Sequence, residues 1–155
     1  VRSLSMTSPS LQQRADYRHF QVIPTRWMDN DIYGHVNNVH YYSYFDTAVN
    51  QFLIERGVLD IHGGDVVGFV VDTACSYFSP IAFPDQVQAG IRVEHVGNSS
   101  VRYGIGLFRN EDSRLAAAGS FTHVYVRRSS GKSVPVPDAV RGVLEALRVS
   151  VPGER

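Results

Sequence analysis

The feature that most constrains the fold is a run of bulky apolar side chains between residues 39 and 53. They recur at intervals of three and four residues, which places them on one face of a helix. Asn37 or Asn38 can supply the N-cap oxygen, and Gly57 can end the helix in the left-handed conformation. The sequence therefore predicts an amphipathic helix whose aromatic stripe needs a broad apolar cover. The stripe consists of Val39, Tyr42, Phe45, Ala48, Val49, Phe52 and Leu53.

Most of the remaining chain has the pattern of β-strands. Partial alternation from Tyr17 to Trp27 predicts a first strand, and Pro24 suggests either an edge position or a bulge in it. The continuous apolar run Val66–Val71 indicates a strand covered on both faces, which continues to Pro80. Three further strands are predicted at Val87–Val93, Val101–Leu107 and Leu115–Val126, with hairpin turns at 97–100 and 110–113.

The order of these elements predicts the fold class. Gly119 is a candidate bulge in the last strand, and Pro137-Asp138 opens a short terminal helix. The resulting order, β-α-β-β-β-β-α, indicates an α+β fold with an antiparallel sheet. We expect the first helix to be buried in the concave face of that sheet. A single copy would leave sheet edges and apolar surface exposed, which favours a dimer.

Length and composition exclude several classes of protein. The 155 residues fit one domain, which we expect at 17–149 after a flexible leader at 1–16. Fifteen basic residues balance fifteen acidic ones, which argues against a nucleic-acid partner. No stretch approaches the ~20 apolar residues of a membrane span. The single cysteine, Cys75, allows no intrachain disulfide, so a cytoplasmic location is expected.

Chemistry-bearing side chains are concentrated between the first strand and the helix. The candidates within these ten residues are two carboxylates, an imidazole and the last two carboxamides: Asp29, Asp31, His35, Asn37 and Asn38. Such residues are also ordinary turn and cap residues. A helix N-terminus, however, presents unpaired N–H groups that favour a developing oxyanion. Carboxylates beside such donors suit acyl transfer.

A longer pattern around this segment resembles a known family. Asp29-x-Asp31-x-x-Gly34-His35-Val36-Asn37-Asn38-x-x-Tyr41 resembles the signature of hotdog-fold acyl-CoA thioesterases of the 4-hydroxybenzoyl-CoA thioesterase type. Gly97-x-Ser99-Ser100 is similar to the "G-x-S-S" turn of that family. The resemblance implies a hotdog fold, in which a five-stranded antiparallel sheet wraps around a long central helix. It also implies a homodimer, or a dimer-based homotetramer, with active sites at the dimer interface.

The resemblance also implies roles for individual residues. Asp31 would be the catalytic nucleophile or general base, His35 would organise the loop or position water, and the N–H at Asn38 would face the thioester carbonyl. No metal or cofactor is implied, and His35 and His40 lack the i, i+4 spacing of a zinc helix. Residues expected to support the loop or bind substrate are Asp29, Asn37, Tyr41, Ser99 and Ser100. Arginines that could contact CoA phosphates are Arg102, Arg109, Arg127 and Arg128.

The predicted function is hydrolysis of acyl-CoA to CoA and a carboxylic acid, with no cofactor. Two alternatives stay open. A hydratase or dehydratase of the same fold would change the absorbance of a double bond without releasing thiol. A non-catalytic acyl-CoA-binding module would bind the ligand without turnover.

Overall fold

The computed structural model of the chain describes residues 12–60 and 63–150. Within them the elements follow the predicted order β-α-β-β-β-β-α. The strands are β1 (His19–Pro24), β2 (Val66–Tyr77), β3 (Gln86–Val96), β4 (Ser100–Arg109) and β5 (Leu115–Arg127), and the helices are α1 (Val39–Glu55) and α2 (Asp138–Leu144). The predicted α+β class is confirmed. No described helix is both long and apolar enough to cross a bilayer.

The five strands form one antiparallel sheet in the order β1-β3-β4-β5-β2. β1 lies at one edge and pairs with β3 without a register shift, so of the two possibilities that Pro24 suggested the structure shows the edge position. β2 lies at the other edge. The prediction that Val66–Val71 is covered on both faces is wrong for the described chain, because the side chains of its second half are exposed. Phe69, Val70 and Val71 are about half exposed. A continuous apolar run therefore marks here an edge strand with an uncovered apolar surface.

Helix α1 has 17 residues and is followed by Gly57 at φ +75°, as the sequence predicted. Of the two candidate caps, Asn37 is the one used, because its Oδ1 accepts a hydrogen bond from the Val39 N–H (3.1 Å). The predicted stripe needs one correction in the first turns, where Val39 and Tyr42 are exposed. The buried residues of α1 are Tyr41, Tyr44, Phe45, Ala48, Val49, Phe52 and Leu53.

One face of the sheet and α1 share the main apolar core. Phe45 of α1 stacks on Phe121 of β5, with ring centroids 6.4 Å apart. The predicted bulge at Gly119 is wrong, since β5 keeps its register there with both neighbouring strands. A Cβ at Gly119 would lie 2.9 Å from the Phe45 ring and would also meet the Ala74 carbonyl oxygen. This glycine therefore allows close approach of helix and sheet.

A second, smaller apolar cluster is formed by Tyr17, Phe108, Leu115 and Ala118. Of the predicted leader, residues 1–11 lie outside the described part of the chain. Arg14 donates side-chain hydrogen bonds to the carbonyl oxygens of Asn110 and Asp112 and lies over the Phe108 ring. These contacts hold the start of the described chain on the turn between β4 and β5.

Candidate functional site

The polar segment before α1 begins with a buried carboxylate. Trp27–Asp29 forms a single 3-10 turn, and this turn points the Asp29 side chain inward until it is only 1% exposed. The Arg26 guanidinium lies 2.8 Å from Asp29 Oδ1, and the Tyr44 hydroxyl donates to Oδ2 at 2.8 Å. The Arg26 N–H also donates to Oδ2, at 3.0 Å. Asp29 therefore joins the 3-10 turn to α1.

Burial and hydrogen bonding act on the Asp29 carboxyl in opposite directions. Burial alone raises its pKa, but the hydrogen bonds from Arg26 and Tyr44 and the charge of Arg26 favour the ionised form. The net effect is a pKa below the usual value of aspartate. Because the folded-state pKa is lowered, this ionised cluster stabilises the fold above the unfolded-state pKa, about 3.9. That contribution is lost as the pH falls through the folded-state pKa.

Replacing Tyr44 by Phe should lower the free energy of unfolding by about 1.5–3 kcal/mol near neutral pH, because it removes a hydrogen bond to a buried charge. The difference from the wild type should shrink as acid protonates Asp29. Urea unfolding of both proteins at pH 7 and at pH 3 measures it. Tyr42→Phe is the matched control, since it removes a hydroxyl from the same helix that interacts with Tyr77 and not with Asp29. Equal loss of stability at both pH values would contradict this account.

Asp31 lies at the start of a tight turn that leads back to the helix. Its N–H donates to the His35 carbonyl oxygen (2.9 Å), and the Gly34 N–H donates to the Asp31 carbonyl oxygen (3.0 Å). Gly34 has φ +84°, a conformation that side chains disfavour. Asp31 Oδ1 accepts a hydrogen bond from the Tyr33 N–H (2.9 Å). Within the described residues Oδ2 has no hydrogen-bond partner, so one carboxylate oxygen is available for chemistry.

The turn is held against the loop that connects β2 to β3. The Val36 N–H donates to the Ile81 carbonyl oxygen (2.7 Å), and the Phe83 N–H donates to Asn30 Oδ1 (3.1 Å). The Asn37 N–H donates to the Asp29 carbonyl oxygen (2.9 Å). Both ends of the Asp31 turn are thus fixed by backbone hydrogen bonds, which limits the positions that its carboxylate can take.

The first two backbone N–H groups of the helix, those of Asn38 and Val39, differ in whether they already donate a hydrogen bond. Asn37 Oδ1 accepts from Val39, whereas nothing among the described residues accepts from the Asn38 N–H. Asn38 itself has helical dihedral angles, φ −60° and ψ −23°. Its N–H is therefore a free donor at the positive end of α1. It follows the Asp31 turn directly in the chain.

The other residues of the motif have different surroundings. His35 is exposed, and its carbonyl oxygen closes the Asp31 turn. Tyr41 is 4% exposed and packs edge-on against Tyr77 of β2, with ring centroids 4.9 Å apart. This contact places the start of α1 beside the end of β2.

Ser99 and Ser100 lie at the opposite end of the sheet from Asp31. Ser100 pairs with Val124 of β5. The loop between β2 and β3, which supports the Asp31 turn, contacts β5 at Ala116, where the Phe78 N–H donates to the Ala116 carbonyl oxygen. Eight strand positions separate Val124 from Ala116, or roughly 27 Å along the strand. A single chain therefore does not bring the two serines to the Asp31 turn.

Exposed apolar side chains lie on both sides of Asp31 in the sequence. The side chains of Trp27, Met28, Ile32 and Tyr33 are between 70% and 93% exposed, and Trp27 packs against Phe83. Contiguous exposed apolar side chains commonly mark binding surfaces. The geometry therefore combines an available carboxylate, a free N–H donor and an apolar surface.

A metal site and a cysteine nucleophile are less well supported by the structure. Among the described residues, no three His, Cys, Asp or Glu side chains are grouped so that they could hold a metal ion. Cys75 is partly buried, and burial raises the pKa of its thiol to about 11. The thiol is therefore protonated near neutral pH and is a poor nucleophile.

Sequence reasoning missed the residues that hold the turn in place. Arg26 and Asn30 belong to the same segment, but neither is among the predicted site residues, and Tyr44 is absent from both the predicted site and the predicted stripe. The i, i+3 spacing of Arg26 and Asp29 was the available signal for their ion pair. The hydrogen bond from Tyr44 had no comparable signal, because it depends on the rotation of α1 relative to the loop.

Residues 25–144, which include every predicted site residue, match the profile of the thioesterase-like superfamily. The PA5185 protein of Pseudomonas aeruginosa is 55% identical, with a TM-score of 0.86 over 88% of this chain and 95% of its own. PA2801 of the same species, a proposed thioesterase, is 31% identical, with a TM-score of 0.78 over 83% and 98%. The DHNA-CoA thioesterase of Staphylococcus aureus is 20% identical and shares the fold, with a TM-score of 0.72 over 82% and 86%.

Proposed function

We propose that this chain, which belongs to the thioesterase-like superfamily, hydrolyses acyl-CoA at the turn that precedes α1. Family membership makes the chain a thioester hydrolase, as the sequence predicted. The choice of acyl-CoA is supported by the DHNA-CoA thioesterase, which has the same fold. The observation that carries the proposal is that Asp31 Oδ2 and the Asn38 N–H, which are close in sequence, both lack a hydrogen-bond partner among residues 12–60 and 63–150. A cytoplasmic location, favoured by the single cysteine, belongs to the same proposal.

In this mechanism Asp31 supplies the reacting oxygen or activates it. As a nucleophile, its carboxylate attacks the thioester carbonyl, the C–S bond breaks as CoA thiolate leaves, and water then hydrolyses the acyl anhydride. As a general base, Asp31 takes a proton from water while that water attacks the carbonyl. Either route needs a carboxylate held in one position, and the backbone hydrogen bonds around the Asp31 turn supply that restraint.

The Asn38 N–H would stabilise the negative oxygen that forms on the thioester carbonyl. Val39 is the less suitable donor, because its N–H is already bonded to Asn37 Oδ1. A donor that needs no reorganisation is worth several kcal/mol when charge develops beside it; removing one oxyanion-hole donor typically costs about 10²–10³-fold in kcat. Asn37 thus acts as the cap of α1, and Asp29 and His35 act as supports of the turn.

We propose a hotdog dimer in which two β2 strands pair across a two-fold axis, alone or as half of a tetramer. Support comes from β2 itself, an edge strand of 12 residues with half-exposed Phe69 and Val71. Antiparallel pairing places the start of one β2 beside the end of the other. Ser99 and Ser100 would then approach the Asp31 turn of the partner, although they are remote from the turn of their own chain.

Replacing Asn38 by Pro tests the oxyanion donor, because proline lacks the N–H and prefers the φ that Asn38 already has. We expect kcat for acyl-CoA hydrolysis to fall by about 10²-fold. The matched control is Asn38→Ala, which removes the side chain but retains the N–H and should keep most of the activity. Thiol release measures both. Full activity of the proline variant, with unchanged helix content, would refute this role for the Asn38 N–H.

A further inference from the structure

The turn between β3 and β4 is held by the part of the chain that follows β5. The Arg141 side chain of α2 donates through Nη2 to the carbonyl oxygens of Gly97 (2.9 Å) and Asn98 (3.2 Å). The Val136 N–H also donates to the Asn98 carbonyl oxygen (2.9 Å). Hydrogen bonds from a charged donor are roughly twice as strong as those between neutral groups. Arg141 is therefore the strongest single restraint on this turn.

The other two carbonyl oxygens of the turn are also occupied. The Tyr125 N–H donates to the Ser99 carbonyl oxygen, and the Gly97 N–H donates to the Ser100 carbonyl oxygen, both at 2.8 Å. All four carbonyl oxygens from Gly97 to Ser100 thus accept hydrogen bonds from within the chain. The backbone of the turn is consequently fixed on the side that faces β5 and α2.

The two serine hydroxyls of the turn are not used in this way. Ser99 and Ser100 are partly buried, and neither hydroxyl has a hydrogen-bond partner within the described ranges. Gly97 keeps the space beside one of them clear, because a Cβ built there would lie 2.9 Å from Ser100 Oγ. The turn therefore combines a restrained backbone with two hydroxyls that a ligand can reach.

Helix α2 gives Arg141 a fixed base. Its neighbour Val140 and the nearby Leu144 and Leu147 are at most 4% exposed and belong to the main apolar core. The Arg141 N–H donates to the Pro137 carbonyl oxygen (2.9 Å) within the first turn of the helix. The guanidinium thus extends from a backbone that is packed on the core, and it transmits that rigidity to the β3–β4 turn.

We propose that Arg141 is a positioning residue: it fixes the β3–β4 turn so that the hydroxyls of Ser99 and Ser100 contact the acyl-CoA held at the Asp31 turn of the partner protomer. The inference rests on the proposed function and on the proposed pairing of two β2 strands. Arg141 acts through the serines and does not touch the substrate. A hydroxyl that is already held in place strengthens binding more than a mobile one, because less freedom is lost when the ligand binds.

Replacing Arg141 by Met, which keeps much of the stem but has no donor, tests the proposal. We expect KM for octanoyl-CoA to rise about 10-fold, the equivalent of one lost hydrogen bond, with kcat nearly unchanged. Arg141→Lys, which restores a charged donor, should recover part of the loss. Arg148→Met is the matched control and should keep the wild-type KM, because Arg148 is exposed and lies near Glu145 instead of the turn.

A double-mutant cycle distinguishes positioning from a general structural role. In a protein that already carries Ser99→Ala and Ser100→Ala, Arg141→Met should cause no further rise in KM, because the hydroxyls through which it acts are gone. The same 10-fold rise in that background would overturn the proposal. An unchanged KM in a folded Arg141→Met single variant would also overturn it. Arg141→Gln replaces the methionine variant throughout if the latter does not fold.

A binding measurement separates this inference from the proposed function. Titration calorimetry on the Asp31→Asn variant gives the Kd of octanoyl-CoA without cleavage, and adding Arg141→Met should raise that Kd about 10-fold. If the wild type hydrolyses acyl-CoA but this Kd does not change, the role of Arg141 is wrong and the proposed function stands. If no acyl-CoA is hydrolysed but the Kd rises, the proposed function fails and the role of Arg141 in binding stands.

Discussion

Replacing Asp31 by Asn should lower kcat for acyl-CoA hydrolysis by about 10³-fold, within the range that general-base groups contribute. The amide keeps the shape of the side chain, and its oxygen can still accept from the Tyr33 N–H, so the turn should persist. It cannot act as a carboxylate nucleophile or take a proton from water. Steady-state thiol release, with KM and kcat measured separately, gives the result.

The control for the Asp31 experiment is Asp138→Asn, which makes the same chemical change at an exposed position at the start of α2. It should retain wild-type turnover. If Asp31→Asn were as active as Asp138→Asn, Asp31 would be neither the nucleophile nor the base. Thermal melts of both variants exclude unfolding as the cause of a loss.

Placing two positive charges on β2, in the variant Phe69→Lys with Val71→Lys, should yield a monomer that has lost more than about 10³-fold of its activity. Both side chains are exposed in a single chain, so the substitutions should not disturb its core. A dimer joined through β2 would hold four lysines on its two paired strands, and like charges on neighbouring strands repel. Loss of the dimer would separate the Asp31 turn from the residues of the partner. Sedimentation velocity together with thiol release measures both effects.

The matched control for this pair is Val22→Lys, which adds a charge at the half-exposed Val22 on β1, the opposite edge strand. It should remain dimeric and active. A fully active monomer of the β2 variant would show that the site is complete in one chain. A dimer that persists in the β2 variant would place the interface on another surface.

Elements with a strong periodic pattern were predictable from the sequence. The spacing of apolar residues and the position of Gly57 were sufficient for α1, and turn residues were sufficient for the β3–β4 hairpin. The rotation of the first turns of α1 was not predictable. Tyr42 and Tyr44 are the same residue type, so apolarity does not show which of them is buried. In the structure Tyr44 is the buried one, and its hydroxyl donates a hydrogen bond to Asp29.

Features that depend on distant contacts were predicted poorly. The run Val66–Val71 has the pattern of a strand covered on both faces, and no residue within it indicates that β2 lies at an edge of the sheet. Gly119 reads as a bulge, whereas its smallness admits the Phe45 ring. Each error concerns the spatial neighbour of a segment, which local spacing does not encode.

The candidate site was predictable in its residues but not in its geometry. The motif contains both Asp31 and Asn38, and the structure adds that one oxygen and one N–H of this pair have no partner in the described part of the chain. The structure also places Ser99 and Ser100 at the opposite end of the sheet from the Asp31 turn of the same chain.

The central claim is that this chain cleaves the thioester bond of acyl-CoA, and its most direct test is a thiol-release assay on the wild-type protein with acyl-CoAs of varied chain length and aromatic character. We predict catalytic release of one free thiol and one carboxylic acid per substrate molecule for at least one compound, without added metal or cofactor. Tight binding without turnover for every acyl-CoA, or a change in double-bond absorbance without thiol release, would contradict the claim.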